Sequence, residues 1–205
     1  MATVITQDRM GEAADVVLGG GVALVPTDTV YGLAVSPLAP EAVDRVFAMK
    51  GRPGSKNLPV MVGDVGAVPA LGVDVNDAAQ RLLSSELVPG PLTIAFGFGP
   101  GDERPEWLAG RVEVAVRIPA HDLLRGLLRR TGPLLVTSAN RSGEPTAENL
   151  EAILASLLEP PDLVLDGGQL SSTPSTLINC RPVPPVVERV GAAAPETVER
   201  ILHGA

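Results

Sequence analysis

Aromatic residues are nearly absent: one Trp, one Tyr and three Phe in 205 positions. That argues against a nucleic-acid surface built by stacking successive bases on rings. Cys180 is the only cysteine, which excludes a disulfide framework and a thiolate zinc cluster. The two histidines, His121 and His203, follow no metal-ligand spacing, and His121 reads as a helix start. No Ser-His-Asp or Cys-His signature is present, so any catalysis rests on positioning and electrostatics. Positive charge is also scarce. A net charge of −8 argues against a broad electrostatic footprint for nucleic acid, while leaving room for a local basic pocket for a small anion. No apolar run reaches the roughly 20 residues of a membrane span. The first residues, MATVITQDRMGEAAD, carry acids where a signal peptide needs an apolar run. A soluble, cytoplasmic protein is expected.

Apolar residues make up 45% of the chain, so the core must come from Val, Leu, Ile and Ala. The length favours one compact domain over residues 1–205, able to bury roughly 70% of its unfolded surface. Short apolar runs alternate with helical periodicity throughout. Strands are expected at Thr3–Ile5, Val22–Val25, Leu58–Val62, Leu92–Phe96, Glu113–Ile118, Leu134–Val136, Leu163–Leu165, Thr176–Ile178 and Val186–Val190. Helices are expected after Asp8 as N-cap, from Pro40, after Asn76, after His121, around Leu150–Leu157 and from Pro195. This is an α/β fold with a twisted, mixed sheet flanked by helices. Gly97–Gly110 reads as a mobile flap. The triple glycine Gly19–Gly21 precedes a strand, so it is no dinucleotide-binding turn, and no GxxxxGK[ST] occurs.

The stretch Pro26–Pro59 organises the rest. PTDTVYGL places Thr27, Asp28, Thr29 and Tyr31 immediately after a buried strand, where open α/β sheets bind ligands. The plainer alternative is a turn whose hydroxyls satisfy their own backbone. KGRP, Lys50–Pro53, fits a helix C-terminus with Gly51 as the stop. Capping does not explain why Lys50 lies on the apolar face, nor why Lys56 follows so soon. Lys50, Arg52 and Lys56 together suit phosphate oxygens, and both readings stay open.

Three later segments can face this stretch. TSAN (Thr137–Asn140) follows a strand, and Ser138 and Asn140 can cap a turn or hold a carboxylate, ribose or base edge. Arg117 interrupts an apolar strand. An inward arginine needs an anion, either an Asp or Glu of the chain or a substrate carboxylate. Ser175 in PST and Arg189 complete the set.

In this order PTDTVYGL, KGRP with a lysine three residues on, PGPLT, VAVRIPAH, TSANRSGEP and PST resemble the YrdC-like threonylcarbamoyl-AMP synthases. The resemblance runs from about Gly19 to Leu202 and is to the short, single-domain type. It implies a twisted α/β sheet with a concave basic pocket. It implies a nucleotidyltransferase that makes threonylcarbamoyl-AMP and pyrophosphate from L-threonine, bicarbonate and ATP, for a downstream tRNA threonylcarbamoyl transferase. ATP would enter as substrate with Mg²⁺, with no tightly bound cofactor, no resident metal, no membrane and only weak RNA binding. By motif, Lys50, Arg52, Lys56, Asn140 and Arg189 would serve ATP, with Lys50 and Arg52 catalytic. Thr29, Arg117, Ser138 and Ser175 would hold L-threonine.

The chain departs from that pattern at Asn57, at Met61, at Val88 before PGP, and at Thr146-Ala147-Glu148. Glu148 puts one nucleotide contact in question. Two alternatives remain: an RNA- or ribosome-binding module, and ATP-dependent carbamoyl transfer to another acceptor. Threonine and serine differ by one methyl, a difference a small pocket reads with only about 1–3 kcal/mol.

Overall fold

The alternation of apolar runs and helical periods resolves, in a computed structural model describing residues 3–51, 57–99 and 103–203, into one open sheet with helices on its faces. In chain order the elements are β1 (Thr3–Thr6), α1 (Met10–Leu18), β2 (Ala23–Val25), β3 (Gly32–Val35), α2 (Pro40–Lys50) and β4 (Val60–Met61). They continue as α3 (Asp77–Leu83), β5 (Leu92–Phe96), β6 (Val114–Arg117), α4 (Asp122–Thr131) and β7 (Leu134–Ser138). The last are α5 (Leu150–Ser156), β8 (Leu163–Asp166), β9 (Thr176–Asn179), β10 (Val186–Arg189) and α6 (Pro195–His203).

The strands lie in the order β1-β8-β2-β3-β7-β4-β6-β5-β9-β10. β1–β8, β2–β8, β4–β6 and β5–β9 are parallel, and the other neighbours are antiparallel, so the sheet is mixed. Residues alternate between its faces. Leu24, Leu33, Ile94, Phe96, Val114, Val116 and Ile178 pack on one side against residues such as Val46, Met49, Leu82, Ile153 and Val198 of α2, α3, α5 and α6. Ala23, Val25, Ala34, Val136, Leu163 and Leu165 pack on the other against α1 and α4. Those two helices cover the β1–β7 half. Toward β6, β5 and β9 the same face carries Ala95 and Ala115, a directly paired alanine couple. Small side chains there leave a hollow.

Several local signals hold. Asn76 caps α3 by accepting from the Ala79 N–H at 3.0 Å. His121 starts α4, its Nδ1 accepting from Leu124 N–H at 3.2 Å. Gly51 ends α2 in the left-handed region at φ 57°, where a side chain would be strained.

Others are corrected. Asp8 does not cap α1. It sits in a 3₁₀ turn, Gln7–Arg9, which moves the cap position to Arg9 with no side-chain cap. Gly32–Val35 is a strand inside the stretch read as irregular. Its four residues open on glycine, too weak a local signal, and β2 and β7 on either side supply the pairing. The described part of Gly97–Gly110 is pinned by the fully buried Leu108 and by Arg104 over the Phe98 ring at 4.4 Å.

Candidate functional site

The hollow is a cavity of about 330 Å³. Its floor is the uncovered sheet face, with Thr93 and Ala95 of β5, Ala115 and Arg117 of β6, and Leu177 of β9. Its walls come from the ends of β3 and β7 and from Pro174–Ser175 and Glu188–Arg189. PTDTVYGL, TSAN, VRIP and PST are thereby brought to one place, as the sequence implied.

Arg117 is 4% exposed and fully committed in direction. Its Nη2 donates to Asp28 Oδ1 at 2.7 Å, its Nη1 to Thr29 Oγ1 at 2.8 Å, and its Nε to the Gly90 carbonyl at 3.1 Å. Of the two anions the sequence left open, the chain's own Asp28 is present. Burial pushes the guanidinium below its usual value, while the charge of Asp28 pulls it back. Thr29 does not line the cavity. It stands behind Arg117, bonded to Thr27 Oγ1 at 3.1 Å, while Thr27 donates to Val30 O at 2.7 Å. The plain turn and the ligand site are thus the same structure, with the hydroxyls ordering the turn that aims Arg117.

Lys50 is 3% exposed at the end of α2, and its ammonium reaches into the TSAN turn. It donates to the Ser138 carbonyl, to Asn140 O at 2.7 Å and to Asn140 Oδ1 at 3.3 Å. Asn140 Oδ1 also accepts from Ser138 Oγ at 2.6 Å, and its amide donates to Arg141 O and Glu144 O. Ser138 lines the cavity, while Lys50 and Asn140 form the wall behind it. Arg52 and Lys56 lie outside the described residues.

Ser175 is buried, and its Oγ lies 2.7 Å from Thr93 Oγ1. Arg189 folds over it, donating to the Ser175 carbonyl at 2.8 and 3.1 Å and to its Oγ at 3.3 Å. Gly191 allows this approach: a Cβ there would sit 2.2 Å from the Pro174 carbonyl. Among the described residues Arg189 has no carboxylate partner, and its nearness to Arg117 further lowers the Arg117 guanidinium. Burial pushes Arg189 itself down as well. The described lining is not uniformly basic. Glu113 and Glu188 belong to it too, although Glu113 is paired with Arg181 at 2.5 Å and Glu188 accepts from Asn179 at 2.7 Å. Among the described residues no group of three or more His, Cys, Asp or Glu is placed to hold a metal.

Three residues named in the sequence reading take roles it did not assign. Asp28, placed there among the polar groups after β2, is the counter-charge of Arg117. Tyr31, fully buried, accepts from Gly167 N–H at 2.9 Å and donates to Gly168 O at 2.7 Å, tying the segment after β8 to the cavity. Glu148 accepts from Gln169 Nε2 at 2.9 Å and Ser172 Oγ at 3.1 Å. Its carboxylate therefore fastens the segment before Pro174.

Comparison with known proteins agrees with this geometry. The Sua5/YciO/YrdC family, described as "Telomere recombination", matches residues 15–191. A threonylcarbamoyl-AMP synthase of Bacillus subtilis is 31% identical over 95% of this chain and 56% of its own length. One of Pseudomonas aeruginosa is 37% identical over 80% of this chain and 88% of its own. Against the first-matched curated relatives, the chain spans about half of their length. Among solved structures, Pyrococcus abyssi Sua5 complexed with L-threonine superposes with a TM-score of 0.83, at 28% identity, over 98% of this chain and 60% of that one. Escherichia coli YciO gives 0.82 at 27% identity, over 95% and 98%. No helix among the described residues is long and apolar enough to cross a membrane. With the motifs gathered around one cavity and the family matched across most of its length, the chain belongs to the Sua5/YciO/YrdC family.

Proposed function

We propose that this chain, as one YrdC-like domain in the cytoplasm, is an L-threonylcarbamoyladenylate synthase. It converts L-threonine, bicarbonate and ATP into threonylcarbamoyl-AMP and pyrophosphate, and a downstream transferase passes the group to tRNA. The observation that carries this reading is the convergence of two guanidiniums, Arg117 and Arg189, with the hydroxyls of Ser138 and Ser175 in one cavity of a chain whose relatives bear that activity's name.

The chemistry suits a site of donors and cations. Bicarbonate, on loss of water, carboxylates the threonine amine to a carbamate. A carbamate oxygen attacks the α-phosphorus of ATP, the bond to the bridging oxygen breaks, and pyrophosphate leaves. The carbamate is already an anionic nucleophile, so the protein's task is to hold two anions in line and neutralise charge. Arg117, ordered by Thr29, takes the threonine carboxylate together with Ser175 and Ser138. Arg189 faces the nucleotide. Asn140 and Lys50 shape the wall at the TSAN turn, and Lys50 with Arg52 and Lys56 supplies positive charge toward the phosphates. Mg²⁺ enters with the nucleotide.

Pyrophosphate release from ATP and bicarbonate, measured with and without L-threonine, tests the reading. Release that depends on threonine is expected. Turnover of carbamoyl phosphate without threonine would replace it with carbamoyl transfer to another acceptor. Salt-sensitive RNA binding indifferent to ATP would replace it with a binding module.

A further inference from the structure

Thr93, the last residue of PGPLT, has been given no role of its own, yet it stands on the cavity floor between β6 and β9. In β5 the sequence LTIAF alternates. Leu92, Ile94 and Phe96 enter the core, so Thr93 and Ala95 face the hollow. Across the β5–β6 ladder Thr93 is paired directly with Arg117, and across the β5–β9 ladder with the apolar Leu177. It is 5% exposed, as is Ser175.

The hydrogen count of this pair is informative. Thr93 Oγ1 and Ser175 Oγ lie 2.7 Å apart, and either can donate. Ser175 Oγ also accepts from Arg189 Nη2, at 3.3 Å. A guanidinium only donates, so Arg189 consumes no hydroxyl hydrogen. Two hydroxyls bring two hydrogens, and the bond between them uses one. Neither oxygen has another partner among the described residues. Whichever way the pair is oriented, one O–H is left to donate, and it lies on the wall of the cavity beside Arg117.

Arg117 is in the complementary condition. Three of its five N–H groups are engaged, with Asp28, Thr29 and Gly90, which leaves one hydrogen on each terminal nitrogen. A carboxylate offers about four lone-pair sites and accepts from a guanidinium and a hydroxyl at once. Among the described residues no carboxylate reaches Thr93 or Ser175.

We infer that Thr93 is a substrate-binding residue: Ser175 Oγ donates to Thr93 Oγ1, and Thr93, paired directly with Arg117, gives the spare hydrogen to the carboxylate of the amino-acid substrate held there. This rests on the threonine reading above and deepens it. Of the groups assigned to the nucleotide, Arg189 is placed chiefly by the Ser175 carbonyl, at 2.8 and 3.1 Å, so its position does not depend on the Thr93 hydroxyl.

Calorimetric binding of L-threonine and, separately, of ATP to wild-type protein, Thr93→Val and Thr93→Ser tests this. Valine keeps the branched strand shape and removes the hydroxyl. Serine keeps the hydroxyl. Thr93→Val is expected to bind L-threonine about ten- to a hundredfold more weakly, with ATP affinity unchanged. Thr93→Ser should restore threonine affinity to within about threefold. Should the valine variant not fold, Thr93→Ala is read in the same way. Threonine affinity unchanged in Thr93→Val, or ATP affinity falling as much as threonine affinity, overturns the inference. Wild-type protein that binds threonine but releases no pyrophosphate overturns the proposed reaction alone. Wild-type protein that binds no threonine overturns both.

Discussion

Arg117 and Arg189 open onto the same cavity, but the fold treats them differently. Arg117 is almost wholly buried and shares its charge with Asp28, in a pair whose side chains are 5% and 12% exposed. Arg189 sits at the rim on the edge strand β10 and, among the described residues, is held only by the dipoles of Ser175. A buried charge without a counter-charge is costly, and Asp28 offsets that cost for Arg117 in this sheet. A rim charge keeps part of its hydration and can wait for a ligand. In the proposed reaction Arg117 would be scaffold first and ligand contact second, and Arg189 the reverse.

The sharpest test separates stability from binding. Asp28→Asn keeps the shape but strips the counter-charge, and should cost about 3 kcal/mol in urea unfolding. A loss below about 1 kcal/mol would show that the Thr29 and Gly90 bonds alone suffice for Arg117. Adding Arg117→Met to that variant should recover part of the loss, because the two groups form one unit. Arg189→Ala should behave in the opposite way. Its unfolding free energy should change by less than about 1 kcal/mol, while ATP affinity falls about tenfold. Equal effects of the two variants on stability would erase the distinction.

The same contrast explains what could be read from sequence. Arg117 could be recognised as a charge requiring an anion because it breaks the apolar strand VAVRI, and the strand period fixes which face it takes. Its partner could not be chosen, because Asp28 lies 89 positions earlier and only the ordering of β3, β7, β4 and β6 brings the two together. Lys50 stood out by helical spacing, but its contact with the TSAN carbonyls depends on the turn after β7, which no local period encodes. The strand Gly32–Val35 was hidden for a related reason. Its existence is decided by two neighbours rather than by its own four residues. Thr93 was legible in principle from the alternation in LTIAF, once Arg117 marked which face mattered.

A neutral polar group in the same wall gives a smaller effect. Tyr31 holds Gly167 and Gly168 through one hydroxyl, and burial raises its phenol above the usual value. Tyr31→Phe leaves a backbone N–H without its acceptor and should cost about 1–2 kcal/mol. Amide exchange at Gly167 and Gly168 should quicken more than in β2 or β3. Uniform acceleration through the sheet would mean that the ring's packing matters and the hydroxyl does not.

Cys180 shows a third way of burying an ionisable group, which is to keep it uncharged. It is 2% exposed in the core, and desolvation pushes its thiol from 9.0 up to about 11. Where Arg117 needs a partner and Arg189 a rim, the thiol needs neither while it stays protonated. A raised folded-state value means that the stabilisation is complete below pH 9.0 and is lost as pH rises toward about 11, because the unfolded chain ionises first. By pH ~10 wild-type protein should have lost about 1 kcal/mol more than Cys180→Ala, relative to each protein's stability at pH ~8. Taking the difference between the two proteins removes the parallel contribution of Tyr31, whose phenol is raised in the same sense. Identical pH profiles would show that the unfolded chain shields the thiol as well as the core does, and neutrality would then no longer distinguish this site from the two arginines.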